Sequence, residues 1–207
     1  MGAERVERVL VVPRSKLFAG GPVPQGYHEG DLAGLRRRIE EHGRFVDRPA
    51  AEEDPSMKQI IPYCFLSWDG KVFLLRRLAT QTESRLHHKL SVGVGGHINP
   101  EDPGPGSVLE RGALRELHEE VEIRSLYRLA LKGYLNDESN PVGQVHFGLV
   151  YEVSLEGGEV SVAEKDLMQG EFVPTSNLRG HRERMETWSQ ILADHLLATG
   201  ASPSDSP

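Results

Sequence analysis

The apolar positions change their period several times along the chain. Val6 to Val12 is a short apolar run closed by Pro13, which predicts a strand. Gly20 to Gly30 has the composition of a loop. Asp31 sits at an N-cap position for a helix running to about His42, stopped by Gly43. Arg48 to Ser56 reads as a charged linker. Ile60 to Ser67 and Lys71 to Arg76 are β-rich runs, and the Asp69-Gly70 pair between them predicts a hairpin. Leu90 to Ile98 is a strand dissolving into glycines, and Pro100 to Gly106 is a loop rich in breakers. A helix is expected over Ser107 to Ile123, then strands over Leu129 to Leu135 and Val145 to Val153, joined by the polar loop Asn136 to Gln144. Glu171 to Val173 reads as a short strand before Pro174. A last helix, His181 to Ala198, carries Met185, Trp188, Ile191, Leu192 and His195 at helical spacing. Strands, hairpins and helices in this order predict an α/β fold of the α+β kind, a mixed sheet covered by helices.

Composition narrows the class of protein. The 207 residues hold 24 Lys and Arg against 31 Asp and Glu, a net charge of −7, which argues against a dedicated nucleic-acid binder. No long uncharged apolar run marks a membrane span. The opening MGAERVERVLVV lacks the pattern of a secretory signal, so a cytoplasmic location is expected. A single cysteine, Cys64, leaves no disulfide framework and no cysteine-cluster zinc site. The Arg36, Arg37 and Arg38 run reads as a solvated basic face.

The chemistry concentrates between Gly95 and Ile123. Ser107 with Glu110 forms a capping box that fixes a helix start and supports the helix. At about 100° per residue, Glu116, Glu119 and Glu120 share an arc of roughly 100°, beside the apolar face of Ala113, Leu114, Leu117 and Val121. Like-charge pairs at this spacing cost a few tenths of a kcal/mol each, roughly, and a hard cation such as Mg²⁺ or Mn²⁺ offsets that. Arg115 is placed to orient Glu119. Gly112 keeps its side of the helix low enough for a loop to approach. The Gly95-Gly96 pair lets a backbone carbonyl face the cation.

Gly96 followed by Arg115-Glu116-Leu117-x-Glu119-Glu120-x-x-Ile123 resembles the Nudix box, Gly-x5-Glu-x7-Arg-Glu-U-x-Glu-Glu-x-Gly-U with U aliphatic. The segments KQIIPY, GGHIN, NPVGQVHFG and GEFV resemble, more closely, a bacterial Nudix subfamily of predicted phosphoesterases. Two departures stand out. Glu101 to Gly106 reads as an insertion, so the first Glu of the box falls on Ser107 or Asp102 according to the direction of counting, with Asp102 or Glu110 as substitutes. The last Gly of the box is Glu122.

The resemblance implies a Nudix-like α/β/α sandwich over residues 58–199, with the box at about 95–123, an N-terminal strand and helix extension over 1–57 and a disordered tail over 200–207. It implies a hydrolase acting on a nucleoside diphosphate linked to another moiety. Glu116, Glu119, Glu120 and the Gly95 carbonyl would be Mg²⁺ (or Mn²⁺) ligands. Glu119, Glu120 and Arg115 would be catalytic, and Glu164, Asp166 and Glu171 are outside candidates for the base. Arg76, Arg77, Lys89 and His146 are expected to meet the substrate, with Arg85 on the same footing as Lys89, Phe147 an alternative to His146 and His97 a weaker candidate. The expected partner is a small-molecule diphosphate, with no membrane, and the resemblance allows a homodimer. The rival readings are a catalytically silent Nudix-fold binding module, an RNA 5′-end pyrophosphohydrolase and an isomerase of the same fold, which would need a better-placed cysteine than Cys64. Specificity is expected in the loops Thr80 to Lys89 and Asn136 to Gln144.

Overall fold

The computed structural model describes residues 6–78 and 89–199. The expected tail, Arg85 and most of the Thr80 to Lys89 loop lie outside the described residues. The architecture is mixed α/β. The chain forms two compact units from interleaved segments: Met1–Tyr63, Gly95–Leu117 and Leu131–Tyr151 in one, Cys64–Val94, His118–Ala130 and Glu152–Pro207 in the other.

In the first unit, β1 (Arg8–Pro13) pairs antiparallel with β3 (Arg44–Asp47) and with the start of β4 (Met57–Trp68). The residues expected to be a plain loop contain β2 (Gly26–His28), paired antiparallel with β9 (Tyr127–Asn136). A backbone pairing partner, rather than an apolar pattern, makes that strand. β10 (His146–Leu155) lies between β4 and β9 in strand order. A one-turn helix, α1 (Arg14–Leu17), follows β1. The expected helix is α2 (Leu32–His42): the Asp31 carboxylate accepts from the Gly34 amide and Gly43 closes the end. The expected linker is instead a short helix, α3 (Arg48–Glu53), with Pro49 in its first turn. Its Ala51 packs with Val9 and Val11 in a buried cluster. One buried alanine is too weak a pattern to be seen in a charged sequence. The polar Asn136 to Gln144 loop holds another short helix, α5 (Pro141–Val145).

In the second unit, β4 turns through Asp69 and Gly70, both at positive φ, into β5 (Lys71–Arg77), which is the geometry of an Asp-Gly hairpin turn. The strand expected at Glu171 is longer, β12 (Met168–Pro174), paired antiparallel along all of β5. β6 (Leu90–Ser91) pairs with β5, and the two-residue β7 (Val94–Gly95) pairs with β4. Helix α4 (Val108–Glu120) stops three residues short of Ile123, because Val121–Ile123 forms β8 and pairs with β11 (Val160–Val162). The expected C-terminal helix is divided into α6 (Leu178–His181), a 3₁₀ turn at Arg182–Arg184 and α7 (Thr187–Thr199). Buried Met185 lies at the break, and Leu192 and Ala193 face the core, while Trp188 is half-buried. Among the described residues no helix is long and apolar enough to cross a membrane.

Candidate metal and phosphate site

Helix α4 starts as its sequence dictates. The Glu110 amide lies 3.3 Å from Ser107 Oγ, and the Ser107 amide donates back to Glu110 Oε2 at 3.0 Å. This reciprocal cap satisfies two of the helix's free amides and fixes its first turn. Leu109, Gly112, Ala113 and Leu117 are buried along one side. A β-carbon on Gly112 would crowd Ile98 and the Asp102 carboxylate, so the helix takes the close approach expected at that position.

Arg115 is the hub of a polar cluster in the first unit. Its Nε donates to Asp102 Oδ1 at 2.6 Å, its Nη2 reaches Asn99 Oδ1 at 3.0 Å and the His97 carbonyl, and its Nη1 lies 2.9 Å from Glu116 Oε1. The Asp102 side chain is only 1% exposed and also accepts from the Asn99 amide at 2.9 Å. Asp102 therefore buttresses α4 from the inserted loop, while Glu110 serves the cap. Charge-assisted bonds of this kind are short and directional, and here they fix both the loop and the arginine. The sequence reading did not include Asn99, whose only signal is its nearness to the glycine pair.

The two glycines do different things. A β-carbon on Gly95 would strike the Pro62 carbonyl, and one on Gly96 would occupy the space of the Glu116 carboxylate. His97 follows. The His146 Nδ1 lies 2.7 Å from the Val142 carbonyl, which only accepts, so Nδ1 carries the hydrogen. That leaves His146 Nε2 to accept from His97 Nε2 at 3.3 Å. Burial pushes the His97 imidazole down to about 4, with Arg48 and His146 adding to the effect, and burial lowers His146 as well. Both rings stay neutral near pH 7.

One residue gave no sequence signal. Lys58, fully buried in β4, donates to Glu138 Oε1 at 2.6 Å and to the carbonyls of Gly143 at 2.8 Å and His146 at 3.2 Å. Arg14 takes the other oxygen of Glu138 at 2.6 Å. Gln25 accepts from the Glu138 amide and donates to Asp137. The loop expected to carry specificity is thereby pinned at several points.

The second unit holds the end of α4. Glu119 is exposed and Glu120 half-buried. Burial raises the proton affinity of the Glu120 carboxyl. Arg77 opposes the shift, and the charges of Glu164 and Glu119 reinforce it. The Glu120 carbonyl accepts from the Ala163 amide at 2.9 Å, which brings the Glu164 strand end beside the helix terminus. The Arg77 amide donates to the Lys89 carbonyl at 3.4 Å, so two of the expected phosphate-binding cations are backbone neighbours. Arg76, which alternates with Arg77 on β5, lines a cleft with Glu171. His118 bonds the Tyr127 hydroxyl at 3.0 Å. Cys64 is a buried free thiol. Among the described residues no three His, Cys, Asp or Glu side chains already converge on one metal-binding point.

No protein-family model matches the chain. Protein YmaB of Bacillus subtilis (strain 168) is 39% identical over 200 residues, covering 92% of this chain and 97% of its own. Among solved structures, Tm1382, described as a candidate Nudix hydrolase, superposes with a TM-score of 0.80 at 28% identity, covering 93% of this chain and all of its own. A MutT Nudix hydrolase from Burkholderia pseudomallei is a weaker likeness, with a TM-score of 0.49 at 19% identity over 65% of this chain and 95% of its own. With its full-length match to Tm1382 and its Arg-Glu-Leu-x-Glu-Glu helix, the chain belongs to the Nudix hydrolase superfamily.

Proposed function

We propose that this Nudix hydrolase cleaves the diphosphate bond of a nucleoside diphosphate linked to another moiety, with Mg²⁺ or Mn²⁺ held on α4. The observation that carries the reading is the seat of Glu116: its carboxylate fills a gap that only a glycine at position 96 leaves, fixed by an arginine that Asp102 and Asn99 hold in turn. A surface acid needs no such support.

The residues present suit a hard cation. Glu116, Glu119 and Glu120 recur on one helix, and the donors are all oxygens. Glu116, Glu119, Glu120 and the Gly95 carbonyl would hold the ion. Bound there, it would neutralise the diphosphate and acidify a water molecule. Arg115 keeps Glu116 in place throughout. Arg77 and Lys89 supply positive charge for the phosphates. In the hydrolysis the water oxygen bonds to phosphorus, the bridging P–O bond breaks and the second phosphate leaves. The water's proton passes to a carboxylate at the end of α4, with Glu164 as the candidate beyond the box that shares Glu120's surroundings. His146, committed to His97 and Val142, supports the glycine strand instead of meeting phosphate.

The test is turnover of a panel of diphosphates (nucleoside diphosphate sugars, dinucleotides, ADP-ribose, coenzyme A and nucleoside triphosphates) with Mg²⁺, in wild type and Glu119→Gln. Hydrolysis lost in the variant and in EDTA supports the reading. If no compound turns over and Mg²⁺ leaves the melting temperature unchanged, the protein is better described as a silent binding module.

A further inference from the structure

A cleft of about 630 Å³ opens in the second unit along β12, the terminal strand of the sheet order. That volume suits a small organic ligand. Its buried lining is aliphatic, including Leu74, Leu90, Val162 and Met168. Its charged lining is Arg76, Lys165 and Arg184 against one carboxylate, Glu171, with His181 beside them. In a chain of net charge −7 this is a local reversal of sign. Among the described residues the side chains of Arg76, His181 and Arg184 make no hydrogen bond or ion pair. Unpaired cations gathered around one concave surface attract and select anions. Arginines suit phosphate in particular, because the guanidinium fork matches two of its oxygens. Among the described residues no Phe, Tyr or Trp lines the cleft, so it lacks the usual stacking surface for a nucleobase.

The cleft also borders the end of α4. Val162 in its wall pairs with Val121, and the Ala163 amide bonds the Glu120 carbonyl at 2.9 Å. We infer that the β12 cleft binds a phosphate ester on an aliphatic or sugar group. Resting here on the function proposed above, the cleft seats the end of the substrate that lies across the scissile bond from the nucleoside. Glu171 then selects against more acidic groups rather than acting as a base.

The test is a calorimetric titration of the full chain in EDTA, so that no divalent ion contributes. Ribose 5-phosphate and hexyl phosphate are the probes, with inorganic phosphate, ribose, hexanol and adenosine 5′-phosphate as companions. At least one ester is expected to bind about tenfold more tightly than inorganic phosphate and its own unphosphorylated parent. Which ester does so tells a sugar site from an alkyl site. Arg76→Gln with Arg184→Gln should lose about tenfold, and Glu171→Gln should tighten binding. The inference is overturned if neither ester binds, if the double variant binds like wild type, or if adenosine 5′-phosphate binds as well as both esters. Ester binding in a protein that hydrolyses nothing supports the cleft and defeats only the hydrolase reading.

Discussion

The carboxylate of Glu116 occupies the space that a β-carbon on Gly96 would fill, whereas a β-carbon on Gly95 would meet the backbone carbonyl of Pro62. A carboxylate at the end of a flexible side chain can move aside, and a strand carbonyl cannot. Gly95→Ala should therefore cost about 3 kcal/mol in urea unfolding. Gly96→Ala should stay within about 1 kcal/mol of wild type, yet weaken Mg²⁺ binding and turnover by about tenfold or more, since misplaced groups lose rate steeply. Wild-type Mg²⁺ affinity in Gly96→Ala would count against the role assigned to Glu116.

Asp102 and Arg115 form a charge pair 2.6 Å apart, with the aspartate side chain all but buried. Removing one partner leaves the other charge enclosed without its counter-ion. Asp102→Ala should lose about 3 kcal/mol, and Asp102→Asn less, because the amide oxygen still accepts from the guanidinium. Chemical denaturation of the three proteins would decide. Equal stability of Asp102→Ala and wild type would show that Asn99 and the His97 carbonyl suffice to hold the arginine.

The paired imidazoles make stability depend on acid. His97 sits near 4 in the folded chain, below its ordinary 6.5, and His146 is lowered too. The folded state thus binds fewer protons than the unfolded state between those values. The contribution is fully present above pH 6.5 and is lost as pH falls toward 4. The slope is up to about 1.4 kcal/mol per pH unit for His97, or about 3 kcal/mol over the window. Unfolding free energies at pH 7, 6 and 5 for wild type and His97→Asn should show a shallower slope in the variant. Parallel curves would mean that other groups set the acid sensitivity.

Lys58 makes a contrasting prediction about a buried cation. Lys58→Met removes the donor to Glu138 and to two carbonyls, at a cost of about 3 kcal/mol. Adding Glu138→Gln to that variant should recover part of the loss, because Arg14 alone no longer has to balance a half-buried carboxylate. A double-mutant cycle with no coupling would remove the ionic cluster from the account of this loop.

Much of the site was legible because local rules wrote it. The Ser107–Glu110 cap, the helix that carries Glu116, Glu119 and Glu120, and the Asp69-Gly70 hairpin all follow from short-range spacing; the cap and the hairpin are found where that spacing puts them, whereas the helix ends at Glu120 and not at Ile123. Three kinds of feature escaped. α3 is a six-residue helix anchored by Ala51, too short to show a period. β2 and β8 exist because distant strands supply their backbone partners. Lys58 lies just ahead of the run from Ile60 that predicts the strand; only a partner 80 positions away in sequence explains its burial. The inserted loop lay between these extremes. Its acids were visible, but that Asp102 rather than Glu110 holds Arg115 depends on how the loop folds back.

The pinned loop from Asn136 to His146 has a consequence for exchange with solvent water. Its carbonyls at Gly143 and His146 close on a lysine with no access to solvent, and its Gly143 amide is held by the Asn140 side chain at 2.9 Å. The loop cannot open without exposing that ammonium group and its carboxylate partner together. Its protected amides should therefore exchange on the timescale of the strands that flank it, and not on that of a surface connection. A ligand that arrives there meets a surface already set, and recognition costs it little further ordering.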